Sequence, residues 1–142
     1  MNKTGIDHIG IAVTDLDEAS AAFSRLLGVE ESHREVVRQE GVEIAVFDMC
    51  GPRIELLSAF DEESPVARFL ERRGPGLHHI AVKSEDIGAL YERLAGLGLS
   101  LIGAVRSGGE GREVFFVNPK ETSGVLFEFT SPPEDTQNSM SE

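Results

Sequence analysis

Two stretches of the chain alternate between apolar and polar or small positions in the same way. In Asp7-His8-Ile9-Gly10-Ile11-Ala12-Val13, the residues Ile9, Ile11 and Val13 lie on one side of an extended strand, and His8, Gly10 and Ala12 on the other. His78-His79-Ile80-Ala81-Val82 repeats the pattern, with Ile80 and Val82 on one side and His79 and Ala81 on the other. Placing His79 on His8 is an offset of 71 residues (79 − 8). At that offset Asp15-Leu16 meets Asp86-Ile87, Phe23 meets Leu94, and Leu26 meets Leu97. The chain contains an internal repeat.

After each opening strand the period changes from two to 3.6. Ala19, Ala22, Phe23, Leu26 and Leu27 predict a helix over residues 17–27, stopped by Gly28. Ile87, Leu90, Tyr91 and Leu94 predict a second over residues 86–97, stopped by Gly98. Three alternating, strand-like runs follow each helix: residues 30–37, 42–48 and 53–58 in the first half, and 100–105, 113–117 and 125–130 in the second. A short helical linker over residues 65–72 ends at Gly74-Pro75-Gly76. Each half therefore reads as a βαβββ module, and neither can bury a sheet face alone. Side by side they make an α+β fold: one curved mixed sheet with the module helices outside and a cleft inside. The expected boundaries are a single domain over residues 1–131, with module one about 5–60, a linker about 61–75 and module two about 76–131. The polar, Pro-containing tail over residues 132–142 is expected to be disordered.

Composition narrows the function. With 142 residues, 40% of them hydrophobic, the chain can bury a core without disulfides. The formal net charge of −12 lacks the basic footprint that nucleic acid or an anionic membrane requires. No run reaches the ~18 apolar residues of a membrane span, and no signal peptide precedes the first strand. Cys50 is the only cysteine, so no intrachain disulfide forms, which fits a reducing compartment and an expected cytoplasmic location. Much of the acidic excess reads as a solvated surface, and a local Arg/Lys cluster can still attract phosphate.

Four polar residues stand at repeat-related places on strands. His8 and His79 occupy the first strand of each module, and Glu55 and Glu128 the last. A carboxylate between Phe127 and Phe129 costs stability unless it is paired, metal-bound or facing a solvated cleft. Two imidazoles and two carboxylates suit a divalent first-row metal with positions left for substrate. His78 faces away from the cleft by strand parity and reads as structural, as does His33. In Val42-Glu43-Ile44-Ala45-Val46, Glu43 shares a face with Ala45 and Phe47. If that face lines the cleft, Glu43 stands near the metal without binding it, where a general base belongs.

These residues resemble the vicinal-oxygen-chelate superfamily and, within it, the methylmalonyl-CoA epimerases. The resemblance is carried by Ile6 to Val13, Glu40-Gly41-Val42-Glu43-Ile44, Ser64 to Leu70 followed by Gly76 to Ala81, and Asn118-Pro119-Lys120 followed by Gly124 to Glu128. It implies metal ligands His8, Glu55, His79 and Glu128, and acid/base roles for Glu43 and Glu128. It also implies one divalent ion per chain, with Co2+ or Mn2+ favoured over Zn2+ or Ni2+, an acyl-CoA substrate and a homodimer. The reaction implied is inversion at the carbon between a carboxylate and a thioester, with a proton removed from one face and delivered to the other. Glu55 stands where some relatives carry Gln, and Asn118 where the family usually has His. For the CoA phosphates, Lys120 and Arg112, near the Gly-rich Ser107–Gly111 loop, are the expected contacts, while Arg68, Arg72 and Arg73 read as a solvated helix face. The same four ligands also suit a glyoxalase-type lactoylglutathione lyase, and the scaffold suits a non-catalytic small-molecule-binding protein. A ring-cleaving dioxygenase would use two His and one Glu, which Glu55 as a fourth ligand argues against.

Overall fold

A computed structural model describes residues 4–107 and 111–132. Eight strands form one mixed sheet: β1 (Gly5–Ala12), β2 (His33–Val37), β3 (Val42–Asp48), β4 (Arg53–Ala59), β5 (Gly76–Lys83), β6 (Leu101–Ser107), β7 (Glu113–Val117) and β8 (Leu126–Thr130). Their order across the sheet is β2-β3-β4-β1-β5-β8-β7-β6. The opening strands of the two modules, β1 and β5, pair antiparallel at the centre. Each is flanked by the closing strand of its own module in parallel, β4 beside β1 and β8 beside β5. The tail expected to be disordered lies, from residue 133 on, outside the described residues, as do residues 108–110 of the Gly-rich loop.

The module helices are α1 (Leu16–Leu27) and α3 (Ile87–Gly96). Both begin on the repeated aspartate. Asp15 accepts a hydrogen bond from the Glu18 backbone N–H, and Asp86 accepts one from Ala89, satisfying donors the helix itself leaves unpaired. Gly28 ends α1 in the left-handed region, at φ 72°, where a Cβ would be strained. The apolar stripe of α1 packs on the convex face over Val13, Ala45, Phe47 and Leu56. That of α3 covers Phe115 and Val117 in the second half. Phe47 and Phe115 are fully buried, and truncation of either to Ala is expected to cost about 3–5 kcal/mol.

The linker helix α2 (Pro65–Arg73) is capped by Ser64, which accepts from the Val66 N–H, with Pro65 in the first turn. It takes the other side of the sheet from α1 and α3. Val66 packs on Ala12, Val42 and Leu57, so α2 closes one end of the concave face. No helix among the described residues is long and apolar enough to cross a membrane.

Candidate metal centre

The site is built where β1 meets β5. Ile6 faces Val82 and the next paired residue, His8, faces Ala81, so Asp7 is an extra residue on β1. Gly10 faces His79 while Ile11 faces Leu77, so His78 is an extra residue on β5. These are two β-bulges, one residue before each site histidine and 71 residues apart (78 − 7). A bulge suspends strict alternation, so Asp7 and His8 are both buried. On the flanking strands alternation holds. Glu55 turns inward between Ile54 and Leu56, opposite Gly10, and Glu128 turns inward between Phe127 and Phe129, opposite Ala81. Gly10 is required there, because a Cβ would lie 2.2 Å from Cε1 of His79.

Nε2 of His8 and Nε2 of His79 face one another at 3.0 Å. Glu128 stands against both, with Oε1 3.7 Å from His79 Nε2 and Oε2 4.0 Å from His8 Nε2. His8, His79 and Glu128 each offer a ligand atom, and these atoms lie within 4.8 Å of one another. Glu55 stands beside them, its Oε1 3.6 Å from His8 Nε2 and its Oε2 accepting from Arg53 at 3.1 Å. Nδ1 of His8 donates to Asp7 at 2.8 Å, which leaves the Nε2 lone pair for the cleft. Nδ1 of His79 meets Nδ1 of His78 at 2.9 Å, so its outer nitrogen is engaged as well. Ligands about 2.1 Å from one ion stand roughly 3.0 Å apart when at right angles, so the donor set fits a divalent metal.

The electrostatics of the two histidines are opposite. Burial pulls His8 down, but the Asp7 hydrogen bond and the charges of Glu55, Glu128 and Asp7 outweigh it, and its pKa is raised. Burial, then the neighbouring His8 and His78, lower His79 to about 3. Glu128 is raised to about 7 by burial and by the charges of Glu55, Asp7 and Glu40, against the pull of His8. Burial opposes ionisation of Asp7 too, yet the His8 hydrogen bond and the charges of Arg112 and Arg53 hold it down at about 2. When His8 is protonated, its Nε2 hydrogen points at the His79 Nε2 lone pair 3.0 Å away.

A cleft of about 440 Å³ opens above this centre. His8, His79, Glu55 and Glu128 all line it, and so does His78. His78 therefore faces the cleft, not away from it as strand parity predicts, because the bulge re-aims the strand at that residue. Glu43 is corrected in the opposite sense. The cleft face of β3 carries Val42 and Ile44, whereas Glu43 shares the face of Ala45 and Phe47, which α1 covers. The carboxylate this segment does bring to the cleft is Glu40, in a 3₁₀ turn (Arg38–Glu40). Arg112 lines the cleft from within. It is buried, and Nη1 donates to both oxygens of Asp7 at 3.1 Å, so it braces the His8 partner and is not a surface contact for phosphate. Lys120 is exposed and does not line this cleft. Asn118 caps the 3₁₀ turn (Pro119–Glu121) by accepting from the Lys120 N–H at 3.0 Å. Sequence reasoning assigned no role to Asp7 or Arg53. An aspartate next to a site histidine was the one available signal for the first.

The family model described as the glyoxalase/bleomycin resistance protein/dioxygenase superfamily matches residues 7–116. The ethylmalonyl-CoA/methylmalonyl-CoA epimerase of Cereibacter sphaeroides is 36% identical over 126 residues, covering 87% of this chain and 94% of that protein. The crystal structure of methylmalonyl-CoA epimerase from Mycobacterium tuberculosis superposes with a TM-score of 0.85 at 34% identity, covering 95% of this chain and 91% of that one. A variant of the Streptomyces coelicolor methylmalonyl-CoA epimerase, in complex with 2-nitronate-propionyl-CoA, superposes with a TM-score of 0.83 at 32% identity, covering 91% of this chain and 97% of that one.

Proposed function

The chain belongs to the glyoxalase/bleomycin resistance protein/dioxygenase superfamily, and from that premise we propose that it interconverts the 2R and 2S forms of methylmalonyl-CoA. The observation that carries this reading is end-to-end similarity to epimerases, laid over a site where two imidazoles and a carboxylate converge. His8, His79 and Glu128 would hold one divalent ion, with Glu55 as the fourth ligand, the whole of residues 1–131 serving as one catalytic domain. Such an ion would supply Lewis-acid polarisation of the substrate. Cobalt or manganese belongs to the same proposal, as do a homodimer and a cytoplasmic location, the last supported by the free, exposed Cys50.

The chain's own groups do the rest. Asp7 and His78 orient the two imidazoles. Inversion needs a proton taken from one face of C2 and another returned to the opposite face, which one fixed base does poorly. Glu128, at the edge of the ion position and raised to about 7 in the metal-free site by burial, is one of the two carboxylates. Glu40, at the cleft wall and close enough for its charge to act on Glu128, is the second carboxylate. We assign it the role that Glu43, on the convex face, does not fill.

The test is exchange of the C2 proton of methylmalonyl-CoA with solvent deuterium, followed by NMR alongside interconversion of the 2R and 2S forms, with and without chelator. Metal-dependent exchange with inversion is the expected result. Absence of exchange with every divalent metal tried would overturn the proposal.

A further inference from the structure

The closing strands β4 and β8 hold equivalent places in the two modules, yet they differ at a position facing the site. Placing Glu128 on Glu55 is an offset of 73 residues (128 − 55), and Leu126 then falls on Arg53 (126 − 53). Arg53 stands opposite His8 across β1 and β4, as Leu126 stands opposite His79 across β5 and β8. Alternation puts Arg53 on the face of Glu55, and both line the cleft. The repeat therefore gives one glutamate a guanidinium two positions earlier and the other a leucine.

The two carboxylates are held differently as a result. Glu128 turns both oxygens to the imidazoles, Oε1 at 3.7 Å from Nε2 of His79 and Oε2 at 4.0 Å from Nε2 of His8. Glu55 turns Oε1 that way, 3.6 Å from Nε2 of His8, while its Oε2 accepts from Nη2 of Arg53 at 3.1 Å. The same Nη2 donates to Oδ2 of Asp7 at 3.0 Å, the carboxylate that orients His8. An NH2 group has two hydrogens, so one nitrogen ties both carboxylates together. The Glu55 side chain is 11% exposed, and solvent screens this pair little. A carboxylate can bind a metal through one oxygen or two. We infer that Arg53 is a positioning residue that limits Glu55 to one oxygen on the ion and so keeps a coordination position open. The inference rests on the ion-binding reading of the site, not on the reaction proposed for it. It also makes positions 53 and 55 one unit. A Gln at 55 with its oxygen at the ion would turn its NH2 group against the NH2 of Arg53, donor against donor.

The experiment loads four proteins with Mn2+ alone: wild type, Arg53→Leu, Glu55→Gln and the double variant Arg53→Leu/Glu55→Gln. Electron paramagnetic resonance of free Mn2+ reads the affinity, and solvent proton relaxation reads the water bound to the ion. Arg53→Leu is expected to bind Mn2+ at least as tightly as wild type but to lose about one bound water, as Glu55 brings its second oxygen to the ion. Glu55→Gln is expected to bind roughly ten- to hundred-fold more weakly, and the double variant at least about five-fold more tightly than Glu55→Gln. An arginine with a merely structural role predicts the reverse, losses that add. Unchanged hydration in Arg53→Leu, or a double variant no tighter than Glu55→Gln, would overturn the inference. The double variant removes a cation and an anion together, so it decides the matter alone should Arg53→Leu not fold. If neither folds, Arg53 is structural and the inference fails. A wild type that binds no Mn2+ overturns the metal centre and the inference with it, whereas variants that miss these outcomes against a binding wild type overturn the inference alone.

Discussion

The first module brings His8 to the cleft with Asp7 beside it, and the second brings His79 with His78 beside it. The backbone device is the same in both: a bulge one residue before the histidine, on strands that pair antiparallel at the centre of the sheet. The chemistry in the bulge differs. Asp7 accepts the Nδ1 proton of His8 and is itself braced by Arg53 and Arg112. His78 offers His79 a second imidazole and no charge. One imidazole is therefore raised and the other lowered to about 3, though both face the same point. A repeat that is symmetric in its fold holds a site that is polar along the line joining its halves.

The largest test of that comparison is removal of either imidazole. His8→Ala and His79→Ala are each expected to lose the ion, with activity falling further than the ten- to hundred-fold typical of outer partners. Metal content by mass spectrometry of dialysed protein reads it directly. A variant that kept one ion per chain would show that one half suffices.

Next is Gly10, which belongs to the first half but makes room for the second. A methyl group there meets Cε1, Nδ1 and Nε2 of His79 at 2.2, 2.6 and 2.8 Å. His79 is buried and cannot simply turn aside. Gly10→Ala is expected to fold, less stably by about 1–3 kcal/mol from overpacking, and to bind metal roughly a hundred-fold more weakly. Full metal affinity in this variant, measured by competition with a chelator, would mean that His79 is not a ligand.

The two bulge partners should differ. Asp7→Asn keeps an acceptor for His8 but leaves two arginines facing a neutral group, one of them buried. Breaking such a pair costs about 3–5 kcal/mol, and activity should fall roughly ten- to hundred-fold. His78→Gln retains a hydrogen-bonding group without charge and should cost roughly ten-fold or less. Thermal unfolding together with kcat checks both, and the reverse order would break the comparison.

The convergence of His8, His79, Glu55 and Glu128 on one cleft was legible because the repeat pairs them. Each half places one histidine and one glutamate at nearly the same offset, and alternation on β4 and β8 turns both glutamates inward. The helices were legible because Asp15 and Asp86 cap them at the same place in each module. The bulges were not, since neither carries a left-handed glycine or any other local mark, and a single extra residue reverses the facing of His78. Glu43 was misplaced for a different reason. Parity separated the faces of β3 correctly, but both faces are apolar. Packing under α1 and α2, which lie on opposite sides of the sheet, decides which one is the cleft wall.

Protonation gives the smallest and most selective test. In the metal-free protein His8 is raised above 6.5 and Glu128 to about 7, so near neutrality both hold protons that an incoming ion must displace. His79, lowered to about 3, is neutral in this pH range and releases none. Metal affinity should therefore rise with pH through neutrality, by about ten-fold per pH unit for each proton displaced, and flatten once both groups have lost their protons. Calorimetry in buffers of different ionisation enthalpy counts the protons directly, with one to two expected near pH 6.5. In Asp7→Asn the count should fall by up to one, because His8 keeps an acceptor but loses the carboxylate charge that helps raise it. In His78→Gln it should stay the same, because His79 remains unprotonated in this range. A count that fell in His78→Gln and held in Asp7→Asn would place the proton on the second half of the site.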